Sequence, residues 1–191
     1  MKPGRHISCL PVSFVCAFIF YGAGVAEGVL TGVRVGVDPD LGVDVAGLGV
    51  DVEPPRGVRA VVGVGQQGTS GSFCSGTLIS EQVVLTAVHC TQGEVATTLR
   101  VLFGPDDYAP EYTVPVASKR EHPSVELALL ILQSAPTFPV TPIPILPYAL
   151  TSAVEGQDVE TAGFGDTQSS ATGRFFAVER LYNVDPSTFD V

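Results

Sequence analysis

The chain has 191 residues, enough for one ordinary domain or slightly more, and 45% of them are hydrophobic, so a packed core can form. Its 20 acidic residues stand against 10 Lys and Arg, a formal net charge of −10, which argues against nucleic acid and anionic membranes as partners. With 21 Gly, 15 Pro, no Trp, many short Val-rich runs and little helical periodicity, the composition favours an all-β architecture over a helical one.

Residues 1–26 read as a cleaved export signal. Lys2 and Arg5 supply a basic start, residues 7–21 are almost wholly apolar, and Gly24-Val25-Ala26 offers small residues for cleavage. The apolar run is interrupted by Pro11 and is shorter than the roughly 20 residues needed to span a bilayer. A retained anchor is therefore the lesser reading. The expected product is secreted or extracytoplasmic, with no stable membrane association after cleavage. It keeps 8 bases against 20 acids, a net charge of −12. It also keeps two cysteines, Cys74 and Cys90, an even pair that reads as one disulfide in an exported chain.

Residues 27–55 are rich in Gly, Val and Asp. They repeat themselves, as Gly42-Val43-Asp44-Val45 and then Gly49-Val50-Asp51-Val52. Leu, Ile and aromatic residues are nearly absent, so little is present to fill a core. The stretch reads as a flexible pro-region or spacer ended by Pro54-Pro55. A pair of short strands packing on the domain is the alternative.

The domain proper is expected over residues 56–191. Residues 58–64 can form a first strand, and residues 66–71 are a Gly/Ser turn region. Two apolar strands follow, 77–79 and 83–86, joined by the polar turn Ser80-Glu81-Gln82. Cys74 opens the first and Cys90 follows the second, which suits a hairpin-like pair stapled at its ends. His89 directly precedes Cys90, so a disulfide would fix its backbone. Proton transfer by a general base depends on such tight geometry.

The run Phe73-Cys74-Ser75-Gly76-Thr77-Leu78-Ile79-Ser80, followed by Val83-Val84-Leu85-Thr86-Ala87-Val88-His89-Cys90, closely resembles the catalytic-histidine segment of trypsin/chymotrypsin-like serine proteases. Val88 stands where that family usually has alanine.

Further strands are expected at 98–103 and 112–116, with the turn Gly104-Pro105-Asp106-Asp107 between them. The continuous apolar run 127–132 after Glu126 is expected to be a strand buried on both faces. Pro136, Pro139, Pro142, Pro144 and Pro147 exclude regular sheet and read as an extended linker. A second β-unit opens with 157–162 and the turn Gly163-Phe164-Gly165, and continues through 175–183.

This order is also similar to the protease family. There a segment like His122-Pro123 to Glu126-Leu127-Ala128-Leu129-Leu130 carries the triad acid, and a Gly-Phe-Gly-like turn opens the second barrel. The resemblance covers about residues 58–183. It implies a trypsin-like double β-barrel with the active site in the cleft between two six-stranded barrels. The first barrel would be complete here and the second truncated. Periodicity alone gives only an all-β chain.

The chemistry implied by the resemblance is a Ser-His-acid triad with an oxyanion hole of backbone N–H groups. His89 takes the base position and Glu126 the acid position, where the family normally has Asp. Glutamate keeps the charge but adds a methylene, so its carboxylate must retreat or the backbone must shift. Glutamate serves as third member in hydrolases of other folds. The lesser reading of Glu126 is a solvated strand edge. Asp106 and Asp107 lie in an earlier turn and match nothing in the family motif.

The nucleophile is missing. No Gly-Asp-Ser-Gly-Gly occurs, and Ser169, Ser170 and Ser187 lack a glycine-rich context, so none is nominated. Val61-Val62-Gly63-Val64 has a faint likeness to an activation terminus, but it lies too close to Cys74 and reads as strand. His6, His89 and His122 are scattered, and neither H-E-x-x-H nor C-x-x-C appears, so no metal and no cofactor are expected. The expected function is that of an exported serine endopeptidase acting on protein or peptide substrates, seen as a C-terminally incomplete chain that is inactive alone. The alternative is a secreted, non-catalytic pseudoprotease acting as a binding module. A structural exported β-protein is a weaker third reading.

Overall fold

The computed structural model describes residues 17–20, 58–145, 151–164 and 173–184. Among these, the only helical elements are single 3-10 turns, and the regular structure is strand, as the composition predicts. Six strands close into a barrel: β2 (Val61–Gln66), β3 (Cys74–Ser80), β4 (Val83–Thr86), β5 (Leu99–Phe103), β6 (Tyr112–Glu121) and β7 (Ala128–Leu132). Their order around the barrel is β2-β3-β4-β7-β6-β5, with every pair antiparallel. Closure leaves no strand edge unpaired, the usual solution for a small sheet with one buried face.

Inward-facing side chains fill the lumen. Val62, Val64, Leu78, Val84, Val101, Phe103, Val116, Leu130 and Leu132 are all buried in one cluster. At Gly76 the strands approach so closely that an added Cβ would lie 2.7 Å from Val84 Cγ1. Residues with side chains at that point would force β3 and β4 apart.

Strand β7 corrects one expectation. Ala128, Leu130 and Leu132 are buried, but Leu129 and Ile131 between them are only half-buried. A barrel strand has one face in the lumen, and here the other face is only partly covered.

Strand β6 is twice as long as the pattern suggests. It runs past Val116 to Glu121, after a register shift between Val116 and Ser118. Its second half, Ser118-Lys119-Arg120-Glu121, is polar because its outer side meets solvent, and that hides it from a search for alternation. Pairing with β7 holds it, from Ser118 opposite Ile131 to Glu121 opposite Ala128. This extension delivers the chain to the loop that carries Glu126.

The proline-rich stretch has no regular sheet in its described part, as expected, yet it lies packed on the barrel. Phe138 meets Phe103 edge-on with ring centroids 5.2 Å apart and stacks on Tyr112 at 4.0 Å. The Ile143 N–H donates to the Leu78 carbonyl at 2.9 Å.

A second sheet has the order β1-β8-β9, from β1 (Ala17–Phe20), β8 (Asp158–Gly163) and β9 (Phe175–Arg180). β1 falls inside the expected export signal and pairs with β8 from Ala17 opposite Ala162 to Phe20 opposite Val159. Removing residues 1–26 would take this strand with it. The expected pro-region 27–55, the cleavage site at residues 24–26, and Ser169, Ser170 and Ser187 lie outside the described residues.

The two sheets are tied at named points. Ser75 Oγ accepts the Phe164 N–H at 2.7 Å, in a place where Gly163 has no Cβ to obstruct it. The Arg174 N–H donates to the Pro105 carbonyl at 2.7 Å and its Nη1 to the Val61 carbonyl at 3.2 Å. Burial, helped by Arg59, pushes the Arg174 pKa below the ordinary arginine range.

Candidate active site

β4 ends in buried Thr86, whose Oγ1 donates to the Ser75 carbonyl at 2.9 Å, and buried Ala87 follows it. The chain then turns tightly. The Cys90 N–H donates to the Ala87 carbonyl at 3.3 Å, and the Thr91 and Gln92 N–H groups both donate to the Val88 carbonyl, at 2.8 and 2.7 Å. His89 sits in this turn, flanked by half-buried Val88 and buried Cys90.

Three anchors hold the turn. Cys90 is joined to Cys74 at the start of β3, with Cα atoms 6.0 Å apart. That confirms the expected disulfide. Fully buried Thr91 donates from Oγ1 to Glu121 Oε1 at 2.8 Å. Lys119 Nζ donates to the Thr91 carbonyl and, at 2.6 Å, to Glu121 Oε1. These bonds, Lys119 first and Thr91 second, hold the Glu121 carboxyl below its usual pKa range. The Lys119-Glu121-Thr91 network was not anticipated from sequence. Its one visible sign is the polar run 118–121 leading out of an apolar strand.

The third anchor is Glu126. Its Oε1 accepts the His89 backbone N–H at 2.6 Å and lies 2.9 Å from His89 Nδ1. A carboxylate only accepts, so a ring hydrogen is on Nδ1, which in the neutral imidazole leaves the lone pair on Nε2. The structure thus brings together the two side chains that the sequence nominates. Both are accessible, with His89 and Glu126 side chains 40% and 60% exposed. The longer glutamate side chain stays largely exposed while its Oε1 reaches both groups of His89.

Glu126 is presented by a loop, residues 122–127, between β6 and β7. The His122 N–H donates to the Leu127 carbonyl at 2.9 Å, and the Leu127 N–H to the Val125 carbonyl at 2.7 Å. The second bond makes Glu126 the centre of a three-residue turn.

Among the described residues, no serine or threonine hydroxyl bonds to His89. Asp107 is buried, with Oδ2 accepting the Ser72 N–H at 2.8 Å and the Ser72 Oγ–H at 2.7 Å. Asp106 Oδ1 accepts the Tyr108 N–H at 2.9 Å. Both acids therefore brace loops, and they accept from Ser72 and Tyr108 rather than from His89. Ligand atoms of Cys74, His89 and Cys90 lie within 4.8 Å of one another. The two sulfurs are bonded together, so they offer no thiolates to a metal. Among the described residues, no helix is long and apolar enough to cross a membrane.

The sequence profile of the trypsin family matches residues 49–184. Trypsin 5G1 of Aedes aegypti is 32% identical over 134 residues, which cover 65% of this chain and 48% of that protein. The chain therefore spans about half the length of that curated relative. Among solved structures, human heparin binding protein has a similar fold, with a TM-score of 0.52 and 24% identity, over 68% of this chain and 62% of that one.

Proposed function

Because the chain belongs to the trypsin family, we propose that it carries the base and the orienting acid of a serine-type endopeptidase acting on protein or peptide substrates. The observation that carries this reading is the convergence of the His89 backbone N–H and Nδ1 on Glu126 Oε1, at 2.6 and 2.9 Å. With Nδ1–H held by the carboxylate, Nε2 is free to take the proton of a serine hydroxyl as that oxygen attacks the peptide carbonyl. Glu126 then stabilises the imidazolium, and the same proton passes to the departing amine. No metal or organic cofactor enters these steps.

The reaction also needs a serine and oxyanion donors from residues beyond those described. The 191 residues alone are proposed to be inactive, because no Gly-Asp-Ser-Gly-Gly segment occurs among them. Export follows the same reading, with residues 1–26 removed and the product secreted.

A second reading, a secreted binding module, is favoured by the 60% exposure of the Glu126 side chain and the absence of a hydroxyl partner for His89 among the described residues. The reading frame downstream of Val191 separates the two. A Gly-Asp-Ser-Gly-Gly segment there, with labelling of its serine by a fluorophosphonate probe, supports the peptidase. A stop codon without such a segment supports the binding module.

A further inference from the structure

We propose that His122 is a positioning residue for the His89–Glu126 pair: its neutral ring clamps the loop that presents the Glu126 carboxylate. The inference rests on the reading of Glu126 as the orienting acid.

His122 Nδ1 accepts two backbone N–H groups, from Ser124 at 3.2 Å and from Val125 at 3.0 Å. With the His122 N–H bound to the Leu127 carbonyl, these bonds close residues 122–127 around Glu126. Packing does little of this work, since Val125 and Leu127, the two neighbours of Glu126, are 49% and 44% exposed. The loop is therefore held by hydrogen bonds, and one ring nitrogen takes two of them.

An acceptor facing two donors must carry a lone pair, so the ring hydrogen of His122 is on Nε2. The ring acts here as Asp, Asn or Ser oxygens do when they accept N–H groups two and three residues onward. Unlike Asn or Ser, imidazole changes charge between about pH 5 and 8. Protonation of Nδ1 would set a donor against two donors and release the loop. The charged and titratable groups on the adjoining elements are Lys119, Arg120 and Glu121 at the end of β6, Glu126 in the loop and His89 in the turn after β4. Of these, Glu121 is engaged by Lys119 and Thr91, and Glu126 by His89.

The test is NMR of the full chain, following the His89 Nδ1–H resonance and the Val125 amide in the parent and in His122→Ala, His122→Asn and Glu126→Gln. Protection of the Leu130 amide serves as the folding control. In His122→Ala the Val125 amide is expected to exchange roughly tenfold faster or more, the effect of losing one such acceptor, and the His89 ring proton is expected to be lost to exchange. Asparagine supplies an oxygen at the same place, so His122→Asn is expected to restore both signals and to keep them at lower pH than the parent. If His122→Ala keeps the ring-proton signal while Glu126→Gln loses it, the pair stands and the clamp is wrong. If Glu126→Gln also keeps it, the reading of Glu126 as the acid fails. Should His122→Ala fail to fold, the acid titration decides: identical loss of both signals in the parent and His122→Asn overturns the clamp.

Discussion

A single oxygen of Glu126 receives both the backbone N–H and the ring Nδ1 of His89. The first bond fixes where the turn lies and the second fixes how the ring faces, so one side chain sets both position and tautomer. Glutamine has the same shape but no charge. Its amide can turn an N–H toward the ring, which favours the opposite tautomer and occupies the wrong nitrogen.

The disulfide should matter to stability and to the site together. Cys74 and Cys90 close a loop with a sequence separation of 16. Replacing both with serine is expected to cost about 2–4 kcal/mol in urea unfolding, and to speed exchange of the His89 amide. Unfolding free energies equal within error would show that the barrel holds the turn without the staple.

Asp107 is expected to be a structural acid. Its buried carboxylate accepts two hydrogens from Ser72, one from N and one from Oγ. Asp107→Ala leaves both donors without that partner and should destabilise the chain by roughly 1–3 kcal/mol, while the His89–Glu126 resonances stay unchanged. Denaturant titration and NMR check this; a stable variant with an altered His89 ring would assign Asp107 to the site instead.

The segment around His89 was legible because its signals are local: two cysteines at the ends of two apolar runs, with the histidine beside one of them. The acid was legible only through resemblance, since nothing in a glutamate before an apolar strand announces a partner 37 residues away. The polar half of β6 was missed because hydrophobic alternation does not see a strand held mainly by its ladder bonds. Asp107 and His122 escaped for a similar reason. Both accept backbone N–H groups, which every residue but proline has, and the one hydroxyl partner of Asp107, Ser72, lies 35 residues away. The pairing of Ala17–Phe20 with β8 was invisible because an apolar tetrapeptide suits a strand as well as a signal core.

Glu121 gives a pH dependence with a definite sign. Its carboxyl pKa is depressed in the folded chain by Lys119 and Thr91. The folded state therefore holds the ionised form more firmly than the unfolded state does. That contribution is present above the ordinary carboxylate range and is lost as pH falls through the folded value. Stability in urea should decline more gently with acid in Glu121→Gln than in the parent. Parallel curves would mean that the network adds nothing to folding.

The most direct measurement is kcat for peptide hydrolysis by the protein made from its complete reading frame, compared with its Glu126→Gln variant. If Glu126 orients His89 as a triad acid, the variant should lose about 10⁴-fold in kcat, with the fold intact. Activity within a few-fold of the parent, or a parent that hydrolyses nothing, would contradict the account.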